Sequence, residues 1–203
     1  VGAAALAVLI LSPSLWLGFQ ADDYTIGSIV RGDSGMPLPK TAAFSTVDGD
    51  PARAAALADL GILPWWAPSD LRLSFFRPLA VATHAFDFAL WPQNPVPMHL
   101  HSLLWLAATV FAAGAAYRAL SHRSPFPLWA AGLATLLFAL DEAHAIPAAW
   151  IANRNAEIAT ALGLAALAAH LRWRRDGRTR FVLASALLLA GALAAGEMGL
   201  GAV

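Results

Sequence analysis

The strongest constraint on this chain is a series of five apolar runs separated by short polar breaks: Val1–Phe19, His99–Tyr117, Pro127–Leu140, Ile151–Leu171 and Phe181–Val203. A helix rises about 1.5 Å per residue, so about 20 predominantly apolar residues cross the hydrocarbon of a bilayer. Pro127–Leu140 reaches that length only if it begins near Ser124 and runs on to Ala143. Composition points the same way: 59% of the 203 residues are hydrophobic and 13% charged, against roughly 45–50% and 25% in soluble domains. The expected fold is therefore all-α: a polytopic membrane helical bundle of about five spans, with interfacial helices in a long first outer loop over residues 20–98. The alanines and glycines of the runs suit close helix packing. Both ends of the sequence lie in apolar runs, so residues 1–203 read as the amino-terminal part of a larger membrane domain. A formal net charge of zero offers nothing to nucleic acid, and the lack of cysteine excludes disulfides and thiol chemistry.

Basic residues set the expected orientation. Arg172 to Arg180 holds five arginines in nine positions and reads as cytoplasmic. Counting back, Arg118–Arg123 is cytoplasmic too, while residues 22–98 and 141–155 face the other side. The long loop agrees, with five basic and eight acidic residues. Within it, Arg31–Gly49 is rich in Gly, Pro, Ser and Asp and reads as irregular. Pro51–Leu60 follows Asp50 and reads as a short helix with Pro in its first turn. Ser69–Leu90 carries apolar residues at helical spacing and reads as a surface helix kinked at Pro78. Trp65, Trp66 and Trp91 suit the headgroup level.

This orientation puts Asp22, Asp23, Asp141 and Glu142 on one face. Two adjacent carboxylates beside an uncharged run repel one another at the edge of hydrocarbon, where ionised groups are costly and usually functional; a solvated flank that ends a helix is the plain alternative. Asp141-Glu142-Ala143-His144 packs three titratable groups between apolar segments and also fits a simple polar turn. Arg77 lies in apolar Ser74–Leu79, where it can snorkel to lipid or hold a phosphate in its fork. Arg154 opens the fourth run with Glu157 at i+3, a spacing that suits an ion pair. His99 and His101 open the second run. No phosphate-cradling glycine loop, H-E-x-x-H or nucleophile elbow is present.

Read in order, Gly18-Phe19-x-x-Asp22-Asp23-Tyr24, Phe76-Arg77-Pro78-Leu79, Asp87, Trp91, Asn94-Pro95, His99-Leu100 and Ala149-Trp150-Ile151-x-x-Arg154 resemble the GT-C class of membrane glycosyltransferases. The nearest branch is the protein O-mannosyltransferase-like proteins, including the kind that carries tetratricopeptide repeats. The resemblance implies a sugar donor on polyprenyl phosphate, a hydroxyl acceptor, catalysis at the non-cytoplasmic face of a cell membrane, and an essential acid in the first outer loop, by match Asp22 or Asp23. It makes Arg77 and Arg154 the phosphate-binding candidates, with His144 behind them. The chain departs from the relatives' His-Pro-x-His-x-Glu, keeping only His144, and their Ser/Ala-Lys-Glu survives only as Gly196-Glu197. A metal is left open; Asp22, Asp23, Asp141 and Glu142 would suit Mg²⁺ or Mn²⁺ better than zinc. A transporter or flippase of a lipid-linked or anionic solute could use the same charged residues along a pathway, although such pathways usually interrupt the middle of spans.

Overall fold

The computed structural model describes residues 1–35, 38–122 and 127–202. Helix α1 (Gly2–Leu11) tightens into a 3₁₀ turn, Ser12–Trp16, where Pro13 removes a backbone donor. Helix α2 (Asp22–Arg31) begins with both carboxylates in its first turn, where the helix dipole favours them, and ends at left-handed Gly32. Strand β1 (Ser45–Asp48) pairs antiparallel with β2 (Arg72–Ser74) through Ser45–Ser74, Val47–Leu73 and Asp48–Arg72. Between the strands lies α3 (Pro51–Asp59), whose cap Asp50 accepts the Ala52 N–H. Then come α4 (Pro78–Leu90), α5 (Pro95–Ser121), α6 (Leu128–Ala139), α7 (Ala145–Ala149), α8 (Arg154–Asp176) and α9 (Thr179–Ala195), closed by a 3₁₀ turn at Glu197–Ala202.

The frame is α8, packed against both α5 and α9, with α1 and α6 on α5. Leu103, Leu106 and Val110 of α5 pack with Ala4 and Ala7 of α1 and with Ala139, and Ile158 and Ala159 of α8 pack with Ala195 of α9. A second core joins α2 to α4, to α5 and to the turn before α8 through Ile26, Ile29, Phe88, Met98 and Ile151. Gly27 makes that approach feasible, because a Cβ there would stand 2.7 Å from the Phe88 ring. The hairpin covers its own small core of Val47, Ala54, Leu57 and Leu63.

The five-span bundle is overturned. Every apolar run is helical over most of its length, but among the described residues one helix, Pro95–Ser121, is long and apolar enough to cross a membrane. The segments Gly2–Trp16, Leu128–Ala139 and Thr179–Ala195 fall in the 10–17-residue range. Pro13 tightens the first, Asp141 follows the end of α6 closely, and Gly196 ends α9. Helix α8 has the length, but Glu157, His170 and its terminal arginines lower its hydropathy. The all-helical class holds apart from one two-stranded hairpin, whose β1 lies in the stretch expected to be irregular and whose β2 lies in the stretch expected to open a surface helix. Pro78 starts α4 instead of kinking a longer helix, as its fixed φ and missing N–H favour at a helix start. Arg123 and Ser124 lie outside the described residues.

Candidate functional site

The two adjacent aspartates have separate roles. Asp23 is 1% exposed. Its Oδ2 accepts the Gln20 N–H at 2.9 Å and its Oδ1 accepts the Ala152 N–H at 2.6 Å, while Gln20 Nε2 donates to the Ala149 carbonyl at 3.3 Å. The first acidic corner is thereby fastened to the turn that follows the second. Burial pushes the Asp23 carboxyl above its ordinary pKa, against the pull of the two N–H donors and of Arg154. Preceding it, Ala21 sits at φ +38°, a strained backbone for an L-residue and the only such non-glycine among the described residues. Asp22, one position on, is exposed. It lines a cleft of about 300 Å³ together with Arg77, Trp150, Asn153 and Asn155.

Arg77 is gripped from three sides. Its guanidinium stacks 4.6 Å from the Phe75 ring and 5.1 Å from the Phe44 ring. Its fork donates to the Glu197 carboxylate from Nε at 3.0 Å and from Nη2 at 2.9 and 3.1 Å. Glu197 reaches this place because the last turn folds back over α9. Gly199 allows it, since a Cβ there would meet the Ala192 backbone at 2.8 Å. Two of the residues lining this cleft each hold a buried polar atom without a hydrogen-bond partner among the described residues, the donor Trp150 Nε1 and the acceptor Asn155 Oδ1.

The second acidic loop forms a neighbouring cleft of about 470 Å³, which shares Asn153 with the first and is lined by Asp141, His144 and Glu157. Asp141 Oδ1 caps the Ala143 N–H at 2.9 Å, and Glu142 is exposed and lines neither cleft. His144 Nδ1 lies 2.9 Å from Glu157 Oε1, and Nε2 lies 2.9 Å from the Phe138 carbonyl. Both neighbours only accept hydrogen bonds, so the ring satisfies them best as an imidazolium that donates from both nitrogens. The hydrogen bond to Glu157 accordingly raises the His144 pKa, against the opposing effect of burial.

Arg154 is placed differently from the expectation that it holds phosphate. It is fully buried and forms an ion pair with Asp87, also fully buried. Its Nε donates to Ser102 Oγ at 3.0 Å and its Nη2 to the Met98 carbonyl at 3.3 Å. His101 joins this cluster: its Nε2 accepts the Trp105 indole N–H at 3.1 Å, and its Nδ1 lies 2.8 Å from Asp87 Oδ1 and 2.9 Å from Arg154 Nη1. Arg154 lines neither cleft, and the expected Arg154–Glu157 pair gives way to Asp87 and His144 as the respective partners. His99 is also fully buried; its ring faces the backbone of Leu17, Gly18 and Ala148 without a well-aligned hydrogen bond.

The structure thus brings Asp22 and Arg77 into one cleft and Asp141 and His144 into the next; it removes Arg154 and His99 to the interior, while Asp23, itself buried, lines a separate cleft of about 310 Å³ with Phe19, Tyr24, Arg31 and Phe88. Sequence reasoning missed Glu197 as the partner of Arg77 and Glu157 as the partner of His144. One signal for Glu197 was available, because a lone acid in the last apolar run needs a partner. Each Asp23 oxygen accepts a backbone N–H and Asp141 Oδ1 is a cap, and among the described residues no group of three or more metal-ligating side chains gathers. No family model, curated protein or solved structure matches the chain.

Proposed function

We propose that the chain forms part of a glycosyltransferase that moves a sugar from a polyprenyl-phosphate donor to a hydroxyl acceptor at the outer face of a cell membrane. The observation that carries this reading is the composition of the Asp22 cleft: a carboxylate and a stacked guanidinium, with Trp150 and Asn155 also in the lining, each holding a buried polar atom that has no partner among the described residues. Buried polar atoms without partners are uncommon and call for a ligand or water. A sugar hydroxyl both donates and accepts, so it matches the chemistry of either atom, the acceptor Asn155 Oδ1 or the donor Trp150 Nε1.

In this reading Asp22 accepts the proton of the acceptor hydroxyl as its oxygen bonds to the anomeric carbon. The bond from that carbon to the phosphate oxygen breaks, its electron pair leaves with the phosphate, and the planar fork of Arg77 stabilises the charge. Glu197 occupies the fork as an anionic stand-in and yields it to the phosphate. A positioned base of this kind contributes about 10²–10⁴-fold.

The test is transfer from a polyprenyl-phosphate sugar by protein carrying Asp22→Asn. Turnover should fall by about 100-fold or more, with an unchanged thermal transition because Asp22 is exposed. Turnover equal to that of the unmodified protein would overturn the assignment.

A further inference from the structure

The end of the molecule remote from both acidic corners carries a second, oppositely charged cleft. At the acidic end, Arg154 at the start of α8 contacts Met98 near the start of α5. The two helices run in the same direction, and their far ends share a cleft of about 440 Å³ lined by Arg118, His122, Arg172, Arg175, Arg178 and Arg180. From Met98 to Arg118, α5 climbs about 30 Å, which is the thickness of bilayer hydrocarbon.

Asp176 is the lone acid on this wall. It is taken by Arg175 at 2.7 Å. Among the described residues no ion pair involves Arg118, Arg172, Arg178 or Arg180. The electrostatics of the helix ends account for two of the five arginines. Arg118 and Arg175 lie in last turns, where the dipole welcomes positive charge. Arg178 is the cap residue of α9 and Arg180 lies in its first turn, where the dipole opposes positive charge. That first turn has no acidic residue, and its cap makes no side-chain hydrogen bond, so its free N–H groups and the arginines beside them both lack an anion.

We infer that this cleft binds the phosphate headgroup of an anionic membrane lipid in the leaflet opposite the Asp22 cleft. Arginine forks from three segments, the ends of α5 and α8 and the start of α9, surround one pocket large enough for a phosphodiester. The separation of about 30 Å puts that pocket at the second headgroup layer if α5 crosses the membrane.

The test titrates the detergent-solubilised full chain with dihexanoylphosphatidylglycerol and with dihexanoylphosphatidylcholine, which share acyl chains and differ in net charge. The anionic lipid should bind more tightly, and added salt should weaken it. Arg178→Gln with Arg180→Gln should weaken it by about fivefold for each arginine removed, and Arg118→Gln, on a different helix, by a similar factor. All three side chains are exposed, so these variants keep the fold. Equal binding of the two lipids, or unchanged affinity in both variants, would overturn the inference. Inorganic phosphate binding as tightly as the anionic lipid would overturn the assignment to lipid.

Discussion

Arg154 and Arg77 were candidates for the same task, and the structure gives them opposite surroundings. Arg154 has no exposed surface, a buried carboxylate partner, and hydrogen bonds from Nε and Nη2 to Ser102 and Met98. Nothing is left over to meet a ligand. Arg77 stands on a cleft wall, its faces stacked on rings and its fork filled by a half-exposed carboxylate from the far end of the sequence. The difference teaches that a charge near hydrocarbon is not functional by location alone. The question is whether its partners are internal and complete or replaceable by an incoming anion.

The comparison breaks most sharply at Arg154. Arg154→Ala strands Asp87 as an uncompensated buried charge, which costs about 3–5 kcal/mol. The expected result in a denaturant titration is a chain unfolded or close to it. Adding Asp87→Leu should recover part of the loss, because removing both charges is far cheaper than removing one. A stable Arg154→Ala protein that has lost only phosphate affinity would return Arg154 to the site and erase the contrast.

Next in size is Asp23. An asparagine can accept one of the two backbone N–H bonds with its single amide oxygen, and its NH₂ then faces the other donor. Leaving one buried donor unsatisfied costs about 1–3 kcal/mol. Asp23→Asn should therefore lower the unfolding midpoint, whereas Asp22→Asn should lower turnover at constant midpoint. Both variants behaving alike in both assays would remove the division between the two aspartates.

A smaller effect follows from His144, which lines the second cleft and is paired with Glu157. Its pKa in the folded chain is raised above the ordinary 6.5, mainly by the hydrogen bond to Glu157. The folded state binds this proton more tightly than the unfolded chain does. The stabilisation is thus fully present below about 6.5 and fades as pH rises through the higher folded value. Thermal midpoints measured from mildly acidic to mildly alkaline solution should show this decline, and Glu157→Gln should flatten it. A midpoint that rises across the same interval would show that the pair is not an imidazolium–carboxylate pair.

How much of this was legible in the sequence follows from how far apart the interacting groups lie. Local signals served well: Asp50 before Pro51 marked a helix start, and the charge breaks marked the ends of most apolar runs. The period of Ser69–Leu90 misled, because Leu73 belongs to a strand whose placement depends on pairing with β1, remote in sequence, and Phe76 to the irregular segment that follows it. Hydropathy overstated the number of spans because it reads composition and not the positions where Pro13 and Gly196 end regular helix. At the site, adjacency made Asp22 and Asp23 look equivalent. Only the fold shows that Ala152, 129 residues away, claims one of them. Likewise Arg77 and Glu197 stand 120 residues apart, a pairing that no helical spacing rule could propose.

The smallest expected stability effect carries the sharpest reading of Arg77. Glu197 is 50% exposed at its side chain, so solvent screening keeps the worth of the ion pair to about 1 kcal/mol or less. Glu197→Gln should accordingly leave the unfolding midpoint nearly unchanged. The guanidinium, still stacked on Phe75 and Phe44, keeps its place without its anion. If Glu197 is a stand-in for phosphate, freeing the fork should tighten binding of a polyprenyl phosphate, and Arg77→Ala should abolish that gain when added to Glu197→Gln. Native mass spectrometry or calorimetry on the three proteins reads both steps. Affinity that falls in Glu197→Gln would instead make the carboxylate part of the binding surface, and Arg77 would then resemble Arg154: a charge whose partner belongs to the protein.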